Sequence, residues 1–477
     1  MPFSHLEYTL AFLTVAAIAL LSRRRFKASS RVSSLPLPPG PPCWPIIGSF
    51  FSLPDATEPI WIWFTRWANK TKSDTIHFRV LGTDTVVLNT REAALELLEK
   101  RSNKYSDRPS MVMLKDLVGW RQLLGMSDYS ERTRVIRRYM HNSMSSKKIL
   151  DWEPQQEKEA YRFLQKLLLS PENFLAHIRH TAGASVVRLT YGYIPKDEDD
   201  EYIEKAEHVM DVFSLASTPG TFMVDVFPIL RYVPWAPFKR TAMRWRQELS
   251  ELIDLPMEFV YKQMDDLAES SFVSQWLEES GHENDKRFIP AAATSLYAGG
   301  ADTTVSAIST FFVAMLHYPE AQRLAQKEIE ETLGKDILPT FKDRASLPYV
   351  EALFKEVMRW KPIAPIGIPH RLGSQTDDEY EGRFSSIAKV DYTDDSMPEG
   401  LRIPANSTVI ANIWNMLRDP NVYQNPENFD PSRFFRENPE PDPEEVVFGF
   451  GRRYVYMSTM MNLILETNEA GTVVVLE

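Results

Sequence analysis

The sequence predicts a mainly α-helical protein with a minor β component on the same chain. Three observations carry this. From about Asp151 to Lys335 nearly every stretch repeats its apolar residues at helical spacing. Thr75 to Thr90, TIHFRVLGTDTVVLNT, reads as a hairpin, two strand-like runs around Leu-Gly-Thr-Asp. After Pro362 the text turns to short strand- and loop-like pieces, YEGRF and GLRIPANSTVIANIW among them, with many prolines. With 477 residues, 43% of them hydrophobic, the chain can bury one large core or two ordinary ones.

At the N-terminus, Tyr8 to Ser22 carries no charge, and Arg23, Arg24 and Arg25 come directly after it. The run is near the short limit for a span, since about 20 residues cross a bilayer. Its arginines lie after the apolar run, where a cleaved signal would have them before. Residues 1–25 are therefore expected to anchor the chain, with the body facing the cytosol. Ser34 to Ser49 holds six prolines, which stiffen it into a hinge or a plain proline-rich linker. Arg91 to Arg101 reads as an amphipathic helix. Ser217 to Phe238 is apolar and broken by Pro219, Pro228, Pro234 and Pro237. It suits a loop against a membrane, a loop over a pocket, or a core-packed connection. Ile289 to Glu320 is a long helix, apolar almost all round and so expected to be buried. Leu347 to Pro362 is another, ended by its proline.

Composition excludes several function classes. A net charge of −11 leaves no basic surplus for nucleic acid. One cysteine, Cys43, excludes an internal disulfide framework and a multi-cysteine zinc site. The nine histidines show no HExxH spacing.

Within the buried helix, AGGADTT (Ala298 to Thr304) places three unfavourable residues in four positions. Gly299 and Gly300 each cost about 1 kcal/mol against alanine, and a buried Asp302 needs a partner. The glycines would admit a flat ligand to the backbone. Thr303 could lend its hydroxyl and Asp302 relay protons; alternatively Thr303 bonds back to the carbonyl one turn earlier. Glu356 and Arg359 share a helical face at i, i+3. Arg433, in NPENFDPSRFF, offers a third member for a buried charge network. His370 lies in an extended run, IPHRL, from which it could reach an anion or serve structurally. VVFGFGRRYVYMSTMM (Val446 to Met461) begins as a loop built for close approach, with Gly449 and Gly451 leading into two arginines.

In this order the motifs resemble those of a microsomal cytochrome P-450, from Pro36 to Arg453. The texture is similar to fungal members that tailor secondary metabolites. The resemblance implies the cytochrome P-450 fold, a catalytic domain over 50–454, and haem b. It implies dioxygen and electrons from NADPH-cytochrome P-450 reductase. It also implies a single-pass chain in the endoplasmic reticulum membrane. The candidate pocket walls, which are the segment after Pro109, the Ser217 to Phe238 loop, Ala298 and Ile363 to Ile366, are mainly apolar and favour a small hydrophobic or aromatic substrate. By the same resemblance Asp302 and Thr303 deliver protons to dioxygen. Glu356, Arg359 and Arg433 form a structural charge network. His370 and Arg453 meet haem carboxylates, and Arg137, in RTRVIRRYMH, takes the arginine position of a Trp-x-x-x-Arg motif. Gly299, Gly300, Phe448 and Gly451 shape the cofactor cradle.

The sequence departs from the family pattern twice. Thr133 stands where that motif has tryptophan. In Phe-x-x-Gly-x-Arg-x-Cys-x-Gly, Phe448, Gly451 and Arg453 match, but Val455 occupies the cysteine and Met457 the last glycine. No metal ligand is therefore expected at 455. Residues 455–477 are read as an aberrant tail replacing the cysteine loop and the C-terminal elements, so that the fold ends truncated or altered. The abrupt break suggests a splice or frame error; a fold-keeping pseudoenzyme without oxygen activation is the alternative.

Overall fold

The computed structural model describes residues 35–452, apart from 56, 145–147, 149, 198, 264–269, 280–282, 336, 374–375 and 382–399. The expected anchor (1–25), Arg453, Val455 and the 455–477 tail lie outside the described residues.

Among the described residues nine helices have twelve or more residues. They are α1 (Ile60–Thr71), α2 (Glu131–Ser143), α3 (Glu153–Leu169), α4 (Phe174–Tyr191), α5 (Glu201–Ser217), α6 (Pro237–Gln263), α7 (Ile289–His317), α8 (Pro319–Leu333) and α9 (Pro348–Trp360). The helical periodicity of the middle of the chain is realised in α3 to α8. Side-chain caps start several of them: Ser130 Oγ accepts from the Thr133 amide, and Asp200 accepts from the amides of Tyr202 and Ile203.

The β component is small. Strands β1 (Thr75–Val80) and β2 (Thr83–Leu88) form the expected antiparallel hairpin. Its turn is tighter than the sequence suggested. Leu81 (φ 47°) and Gly82 (φ 91°) turn the chain alone, and both positive φ angles match the twist of a two-residue hairpin. Thr83 and Asp84 therefore belong to β2. Asp84 accepts from His77 Nε2 at 2.8 Å and from Arg79 Nε at 2.9 Å across the pair. The remaining strands are β3 (His370–Arg371), β4 (Asp378–Tyr380), β5 (Leu401–Ile403) and β6 (Thr408–Ala411). β6 runs parallel to β2, with Val86 opposite Val409, and antiparallel to β3, with His370 opposite Val409. This sheet brings residues near 86, 370 and 409 together. β4 and β5 pair separately.

Helix α7 threads the core. Ile289 to Ala301 pack in one apolar cluster with α2, α4, α5 and α6, while Ala307 and Ile308 belong to a second with β2, β6 and α9. Each fully buried large apolar side chain contributes about 1.5–3 kcal/mol. The stretch between these clusters is where the AGGADTT residues lie. The segment Asn284–His317 is long and apolar enough to cross a membrane by length and composition, yet α7 supplies core residues along its whole length. The proline-broken segment after α5 winds into short helices, Met223–Val226 and Pro228–Tyr232. It exposes Ile229, Tyr232 and Trp235, the last at 82%.

Candidate active site

A cavity of about 470 Å³ opens where α7 passes the glycine loop. One face of α7 lines it with Ser295, Ala298, Gly299, Asp302 and Thr303, the three- and four-residue spacing of a helix face. The loop supplies Phe448, Gly449 and Phe450; β3 supplies His370. A further wall comes from Trp120, Leu123 and Leu124, and another from Met210, Phe213 and Ser214 of α5.

Thr303 Oγ1 donates to the Gly299 carbonyl at 2.7 Å, and Thr304 Oγ1 to the Gly300 carbonyl at 2.7 Å. The back-bonded arrangement is thus present, and Thr303 still lines the cavity with its oxygen lone pairs uncommitted to that bond. Asp302 differs from its sequence-based expectation. It is exposed toward the cavity rather than enclosed in the core, because the apolar stripe of α7 is interrupted there. Partial desolvation pushes its carboxyl pKa up, Arg179 of α4 pulls against this, and Asp211 of α5 adds to the rise. Among the described residues no hydrogen bond or ion pair reaches it.

The glycine loop is fixed by close approach. Gly451 has φ +84°, and a Cβ there would stand 2.9 Å from the Leu98 carbonyl oxygen and 3.3 Å from His370 Cε1. Only glycine satisfies both constraints. His370 is 6% exposed, and its Nδ1 lies 2.7 Å from the Tyr105 carbonyl, which fixes the ring. Arg452 lies over the Tyr129 ring at 4.4 Å.

Away from the cavity, Glu356, Arg359 and Arg433 come together at 0–1% exposure. Arg359 forks onto Glu356 at 2.7 and 2.9 Å and donates to the carbonyls of Leu417, Pro426 and Asn428. Arg433 Nε lies 3.1 Å from Glu356 Oε2, and its Nη1 is 2.5 Å from Glu440 Oε2. The first of these is a charge contact without hydrogen-bond alignment. Burial raises the Glu356 pKa, and the two guanidiniums oppose the rise.

Arg137, on α2, is partly buried and does not line the cavity. Thr133 is fully buried and donates to the Asp128 carbonyl at 2.7 Å. The expected wall from Ser217 to Phe238 is replaced by α5. Arg108 escaped the sequence reading. It is 3% exposed, lines the cavity, and donates from Nε to Gly125 O at 2.8 Å and from Nη1 to Ile368 O and Pro369 O. Its partners lie up to 261 residues away, so no local pattern announces it.

The walls fit a flat, largely apolar ring system with anionic edges, as haem has. Gly299 would admit such a ring to the helix, Phe448 and Phe450 would face it, and the Arg108 cation would meet its edge. Among the described residues no thiolate lines the cavity to serve the iron. The sole cysteine, Cys43, is exposed and does not line the cavity. Among the described residues no cluster of three or more His, Cys, Asp or Glu could hold a metal.

The family model described as Cytochrome P450 matches residues 38–454. Cytochrome P450 monooxygenase 208 of Postia placenta is 38% identical over 452 residues, 93% of this chain and 83% of that protein. Cytochrome P450 monooxygenase claR of Ampulloclitocybe clavipes is 37% identical, covering 87% of this chain and 75% of the relative. Tryptamine 4-monooxygenase of Psilocybe cyanescens is 37% identical over 440 residues, 89% of this chain and 82% of that protein. Such a match over nearly the whole fold, with the cavity at the crossing of α7 and the glycine loop, makes the chain a member of the cytochrome P-450 family, oxidoreductases of the haem-dependent monooxygenase type that use dioxygen, an organic substrate and a redox partner, and it resembles the fungal members of secondary metabolism.

Proposed function

We propose that the chain is built as a haem monooxygenase that oxidises a small hydrophobic or aromatic metabolite, with electrons from a separate NADPH-cytochrome P-450 reductase. The observation that carries this is the cavity framed by Gly299 and Thr303 on one side and by Phe448, Gly449 and Phe450 on another. Haem, where bound, supplies oxygen activation. The protein's own residues orient and protonate. Gly299 and Phe448 would form the cradle, with Gly451 shaping the loop behind it; Gly300, expected beside them, is buried and does not line the cavity. Arg108, His370 and Arg453 meet the carboxylates. Thr303 Oγ1 keeps its proton on the Gly299 carbonyl and turns its lone pairs to the cavity. Asp302, with its raised pKa, holds a proton to higher pH than an ordinary aspartate; as it donates toward Thr303 Oγ1, the threonine hydroxyl would turn from the Gly299 carbonyl and give its own proton into the cavity. Glu356, Arg359 and Arg433 keep the α9 side rigid. The mainly apolar lining, with Trp120 and Phe213 4.4 Å apart, favours a flat aromatic substrate; the relative named for tryptamine agrees in class. The apolar run Tyr8 to Ser22 and the exposed Ile229, Tyr232 and Trp235 support attachment to the endoplasmic reticulum membrane.

A second reading is favoured by Val455: a fold-keeping relative that cannot activate oxygen, or the product of a mis-spliced transcript. One comparison separates them. The chain with Val455 should give no thiolate-type reduced carbon-monoxide spectrum, because valine has no lone pair to donate. Full-length transcript across the codon for Arg453 should contain a form encoding a cysteine two residues later. That form should give the thiolate spectrum and oxidise small aromatics with the reductase. If every transcript encodes Tyr454-Val455-Tyr456, the monooxygenase proposal fails for this gene and the inactive reading stands.

A further inference from the structure

Lys115 is 2% exposed, and an ammonium so buried is costly unless its protons are taken. It lies in a one-turn π-helical segment, Val112–Val118. Its Nζ donates to three oxygens: Arg108 O at 3.3 Å, Pro109 O at 3.2 Å and Asp128 Oδ1 at 3.0 Å. Asp128 Oδ1 also accepts from the Arg108 amide at 3.2 Å. The ammonium thus holds the carbonyl of residue 108, and its carboxylate partner holds the amide of the same residue. Asp128 is itself fixed, since its carbonyl accepts from Thr133 Oγ1. Arg121 Nη1 and Arg371 Nη2 stand further off, at 3.5 and 3.6 Å from its carboxylate.

We propose that Lys115 is a positioning residue for the cavity. Its pairing with Asp128 clips the two ends of the 108–128 loop together and fixes the Arg108 backbone, so that the guanidinium stands in the cavity wall as the cation for an anionic ligand edge. The same clip sets the loop that carries Trp120, Leu123 and Leu124 into the wall. Burial pushes the Lys115 pKa down while Asp128 pulls it back up, as befits an ammonium kept inside for its hydrogen bonds. A methionine of similar length would fill the space and hold nothing.

The test reads Arg108 directly and needs neither cofactor nor turnover. Phenylglyoxal labels accessible guanidiniums, and peptide mass spectrometry tracks Arg108 against the exposed Arg323 in the full chain. In the wild type Arg108 should be protected. Lys115→Met should speed its labelling by about tenfold, the factor expected from losing a charge-assisted hydrogen bond, and should raise amide exchange across 109–118. Lys115→Gln, which keeps two N–H donors, should restore part of the protection. Asp128→Asn combined with Lys115→Met should add little beyond the single change. Wild-type labelling in a folded Lys115→Met protein overturns the proposal. If Lys115→Met does not fold, Asp128→Ala carries the test, since its partly exposed side chain accepts both bonds and alanine accepts neither; unchanged Arg108 labelling there overturns the proposal equally.

Discussion

Glu356 and Asp302 are both carboxylates on long helices, and burial pushes both pKa values up. Their surroundings are otherwise opposite. Glu356 is fully buried, takes a bidentate fork from Arg359, lies against Arg433, and accepts the Asp430 amide at 2.8 Å. Asp302 opens on the cavity, and Arg179 acts on it only from a distance. Desolvation therefore does not distinguish a structural carboxylate from a reactive one. Partners do. A saturated carboxylate holds its neighbours in place, whereas an unsaturated one at a cavity wall remains able to exchange a proton.

Breaking the saturated side should have the largest effect. Glu356→Ala leaves two guanidiniums buried without their carboxylate and should cost about 3–5 kcal/mol of stability, read from urea unfolding. A loss below about 1 kcal/mol, the scale of a surface pair, would remove the contrast. Arg359→Lys should also be destabilising, since an ammonium cannot reproduce the fork onto Glu356 together with the bonds to three carbonyls.

The glycine loop provides the next comparison. Gly449 and Gly451 have nearly the same positive φ, 81° and 84°, but a Cβ at 449 meets nothing within 4 Å. Gly449→Ala should cost about 1–2 kcal/mol, from backbone strain alone. Gly451→Ala adds the overlap with the Leu98 carbonyl and should cost about 1 kcal/mol more, within the usual range for an incompatible site. Equal losses in thermal unfolding would mean that the Leu98 approach is not tight.

How much of the molecule is legible in its sequence depends on the range of the interactions. Periodicity announced α3 to α9, and local β-rich runs announced the β1–β2 hairpin. The Glu356–Arg359 pairing is written in an i, i+3 spacing on one helix. Arg108 is different: its acceptors at Ile368 and Pro369 come near only through the packing of β3. The α5 wall was missed for a similar reason. Prolines marked Ser217 to Phe238 as unusual, but Met210 and Phe213 reach the cavity from within an ordinary amphipathic helix. Asp302 was expected to be buried because α7 is apolar, and apolar neighbours along a helix do not reveal a cavity beside it. Residues 1–25 and 455–477, where the sequence suggested an anchor and an aberrant tail, lie outside the described residues.

Thr303→Ala should scarcely change stability. The lost bond to Gly299 is worth about 0.5–1.5 kcal/mol, and alanine's better helix propensity returns about 0.7 kcal/mol. In a form carrying the cysteine, the same change should send more NADPH electrons to peroxide and fewer to product. Unchanged coupling would take Thr303 out of proton delivery.

The smallest effect is expected at Asp302, and it has a definite sign. Burial raises its folded-state pKa above the unfolded value, so the folded state binds the proton more tightly. Its stabilising contribution is present at acid pH, below the unfolded value, and is lost as pH rises through the raised folded value. Above that point the wild type must keep an ionised carboxylate in a partly desolvated place. Asp302→Asn does not titrate there. The melting temperature of the variant should therefore gain on the wild type as pH goes from about 4 toward neutrality, the range in which carboxylates titrate, and then level off. Arg179→Gln should enlarge the gain, because Arg179 is the group that favours the ionised form. If the difference instead falls with pH, Asp302 is held as an ion-paired carboxylate, and its contrast with Glu356 disappears.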